Sequence, residues 1–136
     1  LTLDRTPYTT WGGYGGLVVR CDPALADARI VFDDGTQTQR PVGERHAWGA
    51  FAGTLRGEEA SVVFLPHPTN RRFPEPFYGS ARGDAHFFGP APLFHEPLPL
   101  RRGETLTHAV RVLVLPRAPR ADEIAGYDGE WRGERP

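Results

Sequence analysis

The sequence contains no lysine and no methionine, one cysteine and two serines. Arginine therefore carries all 16 positive charges against 17 acidic ones, for a formal net charge of −1. Such a balance lacks the cationic surplus that a phosphate backbone demands, which excludes nucleic acid as the main partner. With abundant Ala, Gly and Pro, the choice of arginine over lysine reads as codon bias, although the guanidinium groups stay available to hydroxyls and carboxylates. The lone Cys21 excludes an internal disulfide and leaves the redox compartment open. It follows Leu17-Val18-Val19-Arg20 and reads as an inert thiol at a strand end. Ser61 and Ser80 lie outside any Gly-x-Ser-x-Gly setting, which argues against a serine hydrolase. The longest apolar stretches, Ala60 to Leu65 and Val112 to Leu115, fall far short of the ~20 residues of a membrane helix. No membrane partner is expected, and a soluble, cytoplasmic protein is favoured, since no signal-peptide pattern opens the chain. The missing methionine suggests a chain excised from a longer one.

What is present is alternation. A length of 136 residues with 39% hydrophobic and 24% charged suits one folded domain. Strand signals run from residue 14 to residue 116. Tyr14 to Arg20 is entered through a glycine-rich stretch, and Ala28 to Phe32 ends at Asp33-Asp34-Gly35. His46 to Leu55 and Ala60 to Leu65 flank Arg56-Gly57-Glu58-Glu59 as a hairpin, and in its second arm Val62 and Phe64 oppose Val63 and Leu65. Apolar residues on both faces predict a strand buried on both sides. Pro66 to Pro92 reads as a long structured loop, because its prolines oppose both helix and central strand. Leu93 to Leu100 and Thr105 to Leu115 read as a final hairpin. Residues 117–136 form a tail in which Arg120 to Trp131 could make one or two helical turns, weakened by Gly126 and Gly129. The expected fold is all-β: an antiparallel β-sandwich over 1–136 with a short C-terminal helix, either a single domain or the C-terminal portion of a larger supersandwich.

Histidine is the residue type that carries chemistry. His67 opens the proline-rich segment, His86 lies in Asp84-Ala85-His86-Phe87-Phe88-Gly89, and His95 precedes Glu96. His46 and His108 fall on strand-like stretches and read as solvated or satisfied. A histidine near neutrality beside a carboxylate is the combination that general acid–base catalysis uses. His67 and Glu96 are therefore the proton-transfer candidates, with Asn70, Arg72, His86 and His95 holding hydroxyls and Trp11, Tyr14 and Tyr78 stacking on a sugar ring. The chain has no His-x-His, no His-Glu-x-x-His and no cysteine pair, so no metal ligand set and no cofactor are expected.

Three stretches together carry a resemblance. Trp11-Gly12-Gly13-Tyr14-Gly15-Gly16-Leu17, His67-Pro68-Thr69-Asn70-Arg71-Arg72-Phe73-Pro74, and Pro92-Leu93-Phe94-His95-Glu96-Pro97-Leu98 with Gly103-Glu104-Thr105-Leu106 resemble the bacterial family labelled "methane oxygenase PmoA". The likeness spans roughly residues 5 to 116, and its members are longer, so it implies a C-terminal portion. The resemblance further implies a large β-sandwich similar to the supersandwich of aldose mutarotases, whose motifs do not align here, so none of their residue roles is carried over. The label itself sits badly with a sequence lacking a spanning segment. Three functions follow as expectations: acid–base chemistry on a carbohydrate, non-catalytic carbohydrate binding or scaffolding, and metal-dependent oxygenation. The expected partners are a small-molecule or oligosaccharide ligand and either a missing N-terminal sandwich half or a second copy of the chain.

Overall fold

A computed structural model describes residues 1–3 and 15–136. Alternation in the sequence becomes two facing antiparallel sheets. The strands are β1 (Thr2–Leu3), β2 (Val19–Arg20), β3 (Ala26–Phe32), β4 (Gln37–Thr38), β5 (Val42–His46), β6 (Gly49–Leu55), β7 (Glu58–Pro66), β8 (Glu75–Arg82), β9 (Ala85–Pro90), β10 (Leu98–Pro99) and β11 (Val110–Leu115), followed by helix α1 (Ala121–Gly133). One sheet runs β11-β7-β6-β3-β4, the second β2-β9-β8-β5, and β1 pairs with β10 in a small ribbon. The expected all-β sandwich with a C-terminal helix is thus the fold of the described residues.

Side-chain period explains the layering. In β3, Ala28, Ile30 and Phe32 are buried at every second position, and they meet Phe51 of β6, Phe64 of β7, Phe77 of β8 and Phe88 of β9 between the sheets. Phe77 and Phe88 stack with centroids 5.2 Å apart, and Phe64 meets Phe88 edge-on at 5.6 Å. Each such ring contributes about 1.5–3 kcal/mol when fully buried. Gly49 makes room for this packing, since a Cβ there would lie 2.7 Å from Phe88. The opposite face of the five-stranded sheet buries Trp48, Ala50, Val63, Leu65 and Leu115 beneath Ile124 of α1. β7 therefore serves two cores, as its doubly apolar pattern predicts. The helix docks through Ile124, Tyr127 and Trp131, spaced for one face, and Trp131 Nε1 donates to the Leu65 carbonyl at 2.8 Å.

Four expectations need correction. The strand expected over Tyr14 to Arg20 pairs only at Val19 and Arg20, with Tyr14 outside the described residues. The proline-rich stretch contains the β8–β9 hairpin, which closes at Arg82 and Ala85 around Gly83 and Asp84. Its prolines are tolerated because they sit at strand ends: β8 pairs β9 from Phe77 onward, leaving Pro76 with only its carbonyl engaged, by Ala91 N–H at 2.7 Å. The last hairpin does not form. Val110–Leu115 pairs with β7, and Leu98 and Pro99 pair with β1. The helix spans 13 residues rather than one or two turns; neither Gly126 nor Gly129 is asked to pack against anything, so tertiary docking of the other face outweighs their propensity cost.

Candidate functional site

The segment between β7 and β8 folds back through successive turns, Asn70 N–H donating to the His67 carbonyl at 2.9 Å and Phe73 N–H to the Asn70 carbonyl at 3.1 Å. This places the Asn70 amide against Ala109, just before β11. Asn70 Nδ2 donates to the Ala109 carbonyl at 2.8 Å, and its Oδ1 accepts from Ala109 N–H at 2.9 Å. The same Nδ2 donates to Glu75 Oε1 at 2.7 Å. Glu75, first residue of β8, is fully buried. Both of its carboxylate oxygens lie 2.9 Å from His108 Nε2.

A buried carboxylate is costly unless compensated by charge and hydrogen bonds. Asn70 and His108 supply that compensation here. Donation from Nε2 fixes the proton of a neutral His108 on that nitrogen and leaves Nδ1 with its lone pair, the arrangement in which a carboxylate orients a histidine base. Among the described residues, Nδ1 has no hydrogen-bond partner. His108 is partly open and lines a cavity of about 400 Å³ whose walls include Leu93, Leu98, Leu106, Thr107, Arg71 and Arg72. Sequence reasoning missed this pair. Glu75 stood in a stretch read as loop and His108 in one read as strand, and they lie 33 positions apart. The sequence sets Glu75 apart only as a glutamate hemmed between Pro74 and Pro76, which does not point to His108.

The residues singled out from sequence are dispersed. His67 is buried, its Nδ1 accepting from the Thr69 hydroxyl at 2.7 Å and from Thr69 N–H at 3.3 Å. Two donors on Nδ1 put the proton on Nε2, which is buried and lacks a partner. The His67 ring meets Trp131 edge-to-face at 5.0 Å. It lines a second, wider cavity rather than the one at His108. Glu96 is 61% exposed and paired with Arg72, so no contact joins it to His67. Arg72 lines the His108 cavity and also donates to the Pro97 carbonyl at 2.9 Å. Asn70 serves as the latch described above rather than as a wall of either cavity.

His86 is a core residue, donating from Nδ1 to the Asp22 carbonyl at 3.0 Å and packing on Phe51. His95 donates from Nε2 to the Gly43 carbonyl at 2.7 Å. That close approach depends on Gly43, whose φ of +97° and 2.4 Å clearance to the Phe94 ring admit no side chain. Tyr78 packs against Phe87 and Phe94. None of these three lines the His108 cavity. Trp11 and Tyr14 lie outside the described residues, although their neighbours Gly15 and Gly16 line that cavity.

Among the described residues, Asp33, Asp34 and His46 could bring three ligand atoms within 4.8 Å of one another. Asp33 is already engaged, accepting from His46 Nδ1 at 2.8 Å and from Ala47 N–H at 2.9 Å, while the His46 ring stacks on Phe32 at 3.9 Å. This arrangement fastens the β3–β4 turn to the end of β5. No helix among the described residues is long and apolar enough to cross a membrane.

Comparison with curated proteins and with solved structures finds no match. A family model described as a family of unknown function matches residues 1–128, which take in all the strands of the sandwich and the first part of α1. The chain therefore belongs to that family, DUF6807.

Proposed function

We propose that the chain acts on a carbohydrate by acid–base chemistry, with His108 as the group that exchanges a proton with a sugar hydroxyl and Glu75 as the carboxylate that orients it. The observation that carries this reading is the buried Glu75 carboxylate, engaged through both oxygens with a cavity-lining histidine. A buried acid holding an imidazole by one nitrogen leaves the other free to take a proton and return it. The cavity suits such a ligand. Its volume of about 400 Å³ falls in the range of small-molecule sites, its leucines can face the C–H side of a sugar ring, and Arg71, Arg72 and Thr107 can meet hydroxyls.

A sugar panel followed by NMR for anomeric exchange or cleavage tests the reading. Turnover in the intact chain that is lost in His108→Gln is the expected result. No change in any sugar, or equal rates in both proteins, removes it. One observation favours a non-catalytic binding module instead: no carboxylate is found among the described residues that line the cavity, so a second proton-transfer group is not in view. Binding of a sugar without turnover supports that alternative.

A further inference from the structure

We infer that the ligand of the His108 cavity is a sugar carrying an apolar substituent, seated with the substituent inward and the sugar hydroxyls at the rim. This rests on the carbohydrate reading above and goes further in naming the ligand's class and its orientation.

Exposure sorts the cavity walls. Leu93 and Leu98 are buried, and Leu3, Pro92 and Leu106 are half-buried. Thr2, Arg71 and Thr107, by contrast, are exposed. The described part of the wall is therefore apolar where it is deepest and polar where it meets solvent. His108 falls between the two, with 23% of its side chain exposed. The backbone beside the leucines adds no polar side chain. Gly15 lies against Leu93, where an added Cβ would come within 2.9 Å of Leu93 Cδ1.

The two arginines do little to change this balance. Arg71 is paired with Glu104, and Arg72 with Glu96 and the Pro97 carbonyl. A free hexose carries hydroxyls around its whole ring, and those turned toward Leu93 and Leu98 would lose water without gaining a partner, which is disfavoured. An apolar group in the same place loses only unfavourable hydration. The hydroxyls of the attached sugar then stay near Thr2, Thr107 and solvent, with His108 at the border between the two parts. A cavity of about 400 Å³ has room for a ring and a substituent of similar size.

The test is an NMR titration of the whole chain with the phenyl and methyl β-glycosides of glucose and of galactose, and with phenol. For at least one sugar the phenyl glycoside is expected to bind about tenfold or more tightly than the methyl glycoside, because the larger substituent removes more apolar surface from water. Leu106 lines the cavity and belongs to neither core cluster. In Leu106→Gln the phenyl-to-methyl affinity ratio is expected to fall by about threefold or more, since a polar group then faces the substituent. No binding of any glycoside, equal binding of the phenyl and methyl forms, or an unchanged ratio in Leu106→Gln overturns the inference. Failure of the underlying reading is separable from this result. Phenol binding as tightly as the phenyl glycosides sinks the carbohydrate reading and the inference together, whereas sugars that bind equally well with either substituent sink the inference alone. Preference for phenyl with no turnover of any sugar sinks catalysis and leaves the inference standing.

Discussion

Glu75 and His108, 33 positions apart, meet so that both carboxylate oxygens sit 2.9 Å from one imidazole nitrogen, with the carboxylate fully buried. The contact ties the first residue of β8 to the segment entering β11, and Asn70 braces it from the side. Stability and chemistry are expected to respond together when it is altered.

Removing the imidazole leaves a buried charge with only the Asn70 amide. His108→Ala is expected to cost about 3 kcal/mol in urea denaturation, and Asn70→Ala about 2–3 kcal/mol because Ala109 and Glu75 both lose partners. The double variant should fall short of the sum by at least about 0.5 kcal/mol, since both changes act on one carboxylate. Strict additivity speaks against a shared network.

How much of this was legible varies with the range of the interaction. Alternation in Ala28 to Phe32 and the two apolar faces of Val62 to Leu65 announced the sandwich, because period-two burial is written in neighbouring residues. The β6–β7 hairpin was legible for the same reason. It is tighter than the four-residue turn expected, with Leu55 opposite Glu58 and Arg56 and Gly57 both at positive φ, a local geometry that a Gly-containing dipeptide allows. The β8–β9 hairpin was hidden by prolines that turn out to occupy strand ends. The Glu75–His108 pair was not legible at all. It depends on β11 crossing to the far edge beside β7, a choice made by tertiary packing, while the nearer and more conspicuous pairing of His95 with Glu96 led to residues with separate partners.

The glycines of α1 offer a gain in stability. At Gly129 an added Cβ meets nothing within 4 Å, and the residue is exposed. Gly129→Ala is expected to raise stability by about 0.5–1 kcal/mol through lower unfolded-state entropy and higher helix propensity. The thermal midpoint should rise. A fall would mean that this helix position is strained.

Cys21 lines a cleft with Phe51 and Val62, and burial pushes its thiol pKa up. Folding therefore favours the protonated form. The corresponding stabilisation is fully present below the thiol pKa of the unfolded chain and is lost as pH rises through the folded value. Alkylation of the native protein is expected to lag behind that of a small thiol at mildly alkaline pH and to catch up once urea unfolds the chain. A native rate equal to the free thiol's contradicts this.

Asp34 titrates in the opposite sense. Thr36 N–H donates to its Oδ1 at 2.8 Å and holds the carboxyl below its usual range, with His46 adding a smaller effect of the same sign. The stabilisation is present above the unfolded carboxylate pKa and disappears as pH falls through the lowered folded value. An NMR titration is expected to place its midpoint below that of an exposed aspartate. In Asp34→Asn the acid-side loss of stability should be smaller than in the unaltered chain.

Helix α1 is fastened to the sheet through Trp131, whose indole binds the Leu65 carbonyl and carries the Arg111 guanidinium 4.7 Å from its ring centre, and the residues that follow it form one bank of the wider cavity. Occupancy of that space and attachment of the helix are consequently two faces of one equilibrium. Whatever draws the terminal turn down onto the strands sharpens the receptacle. A molecule that binds there only while the helix is docked strengthens that docking by the same factor by which docking strengthens its binding.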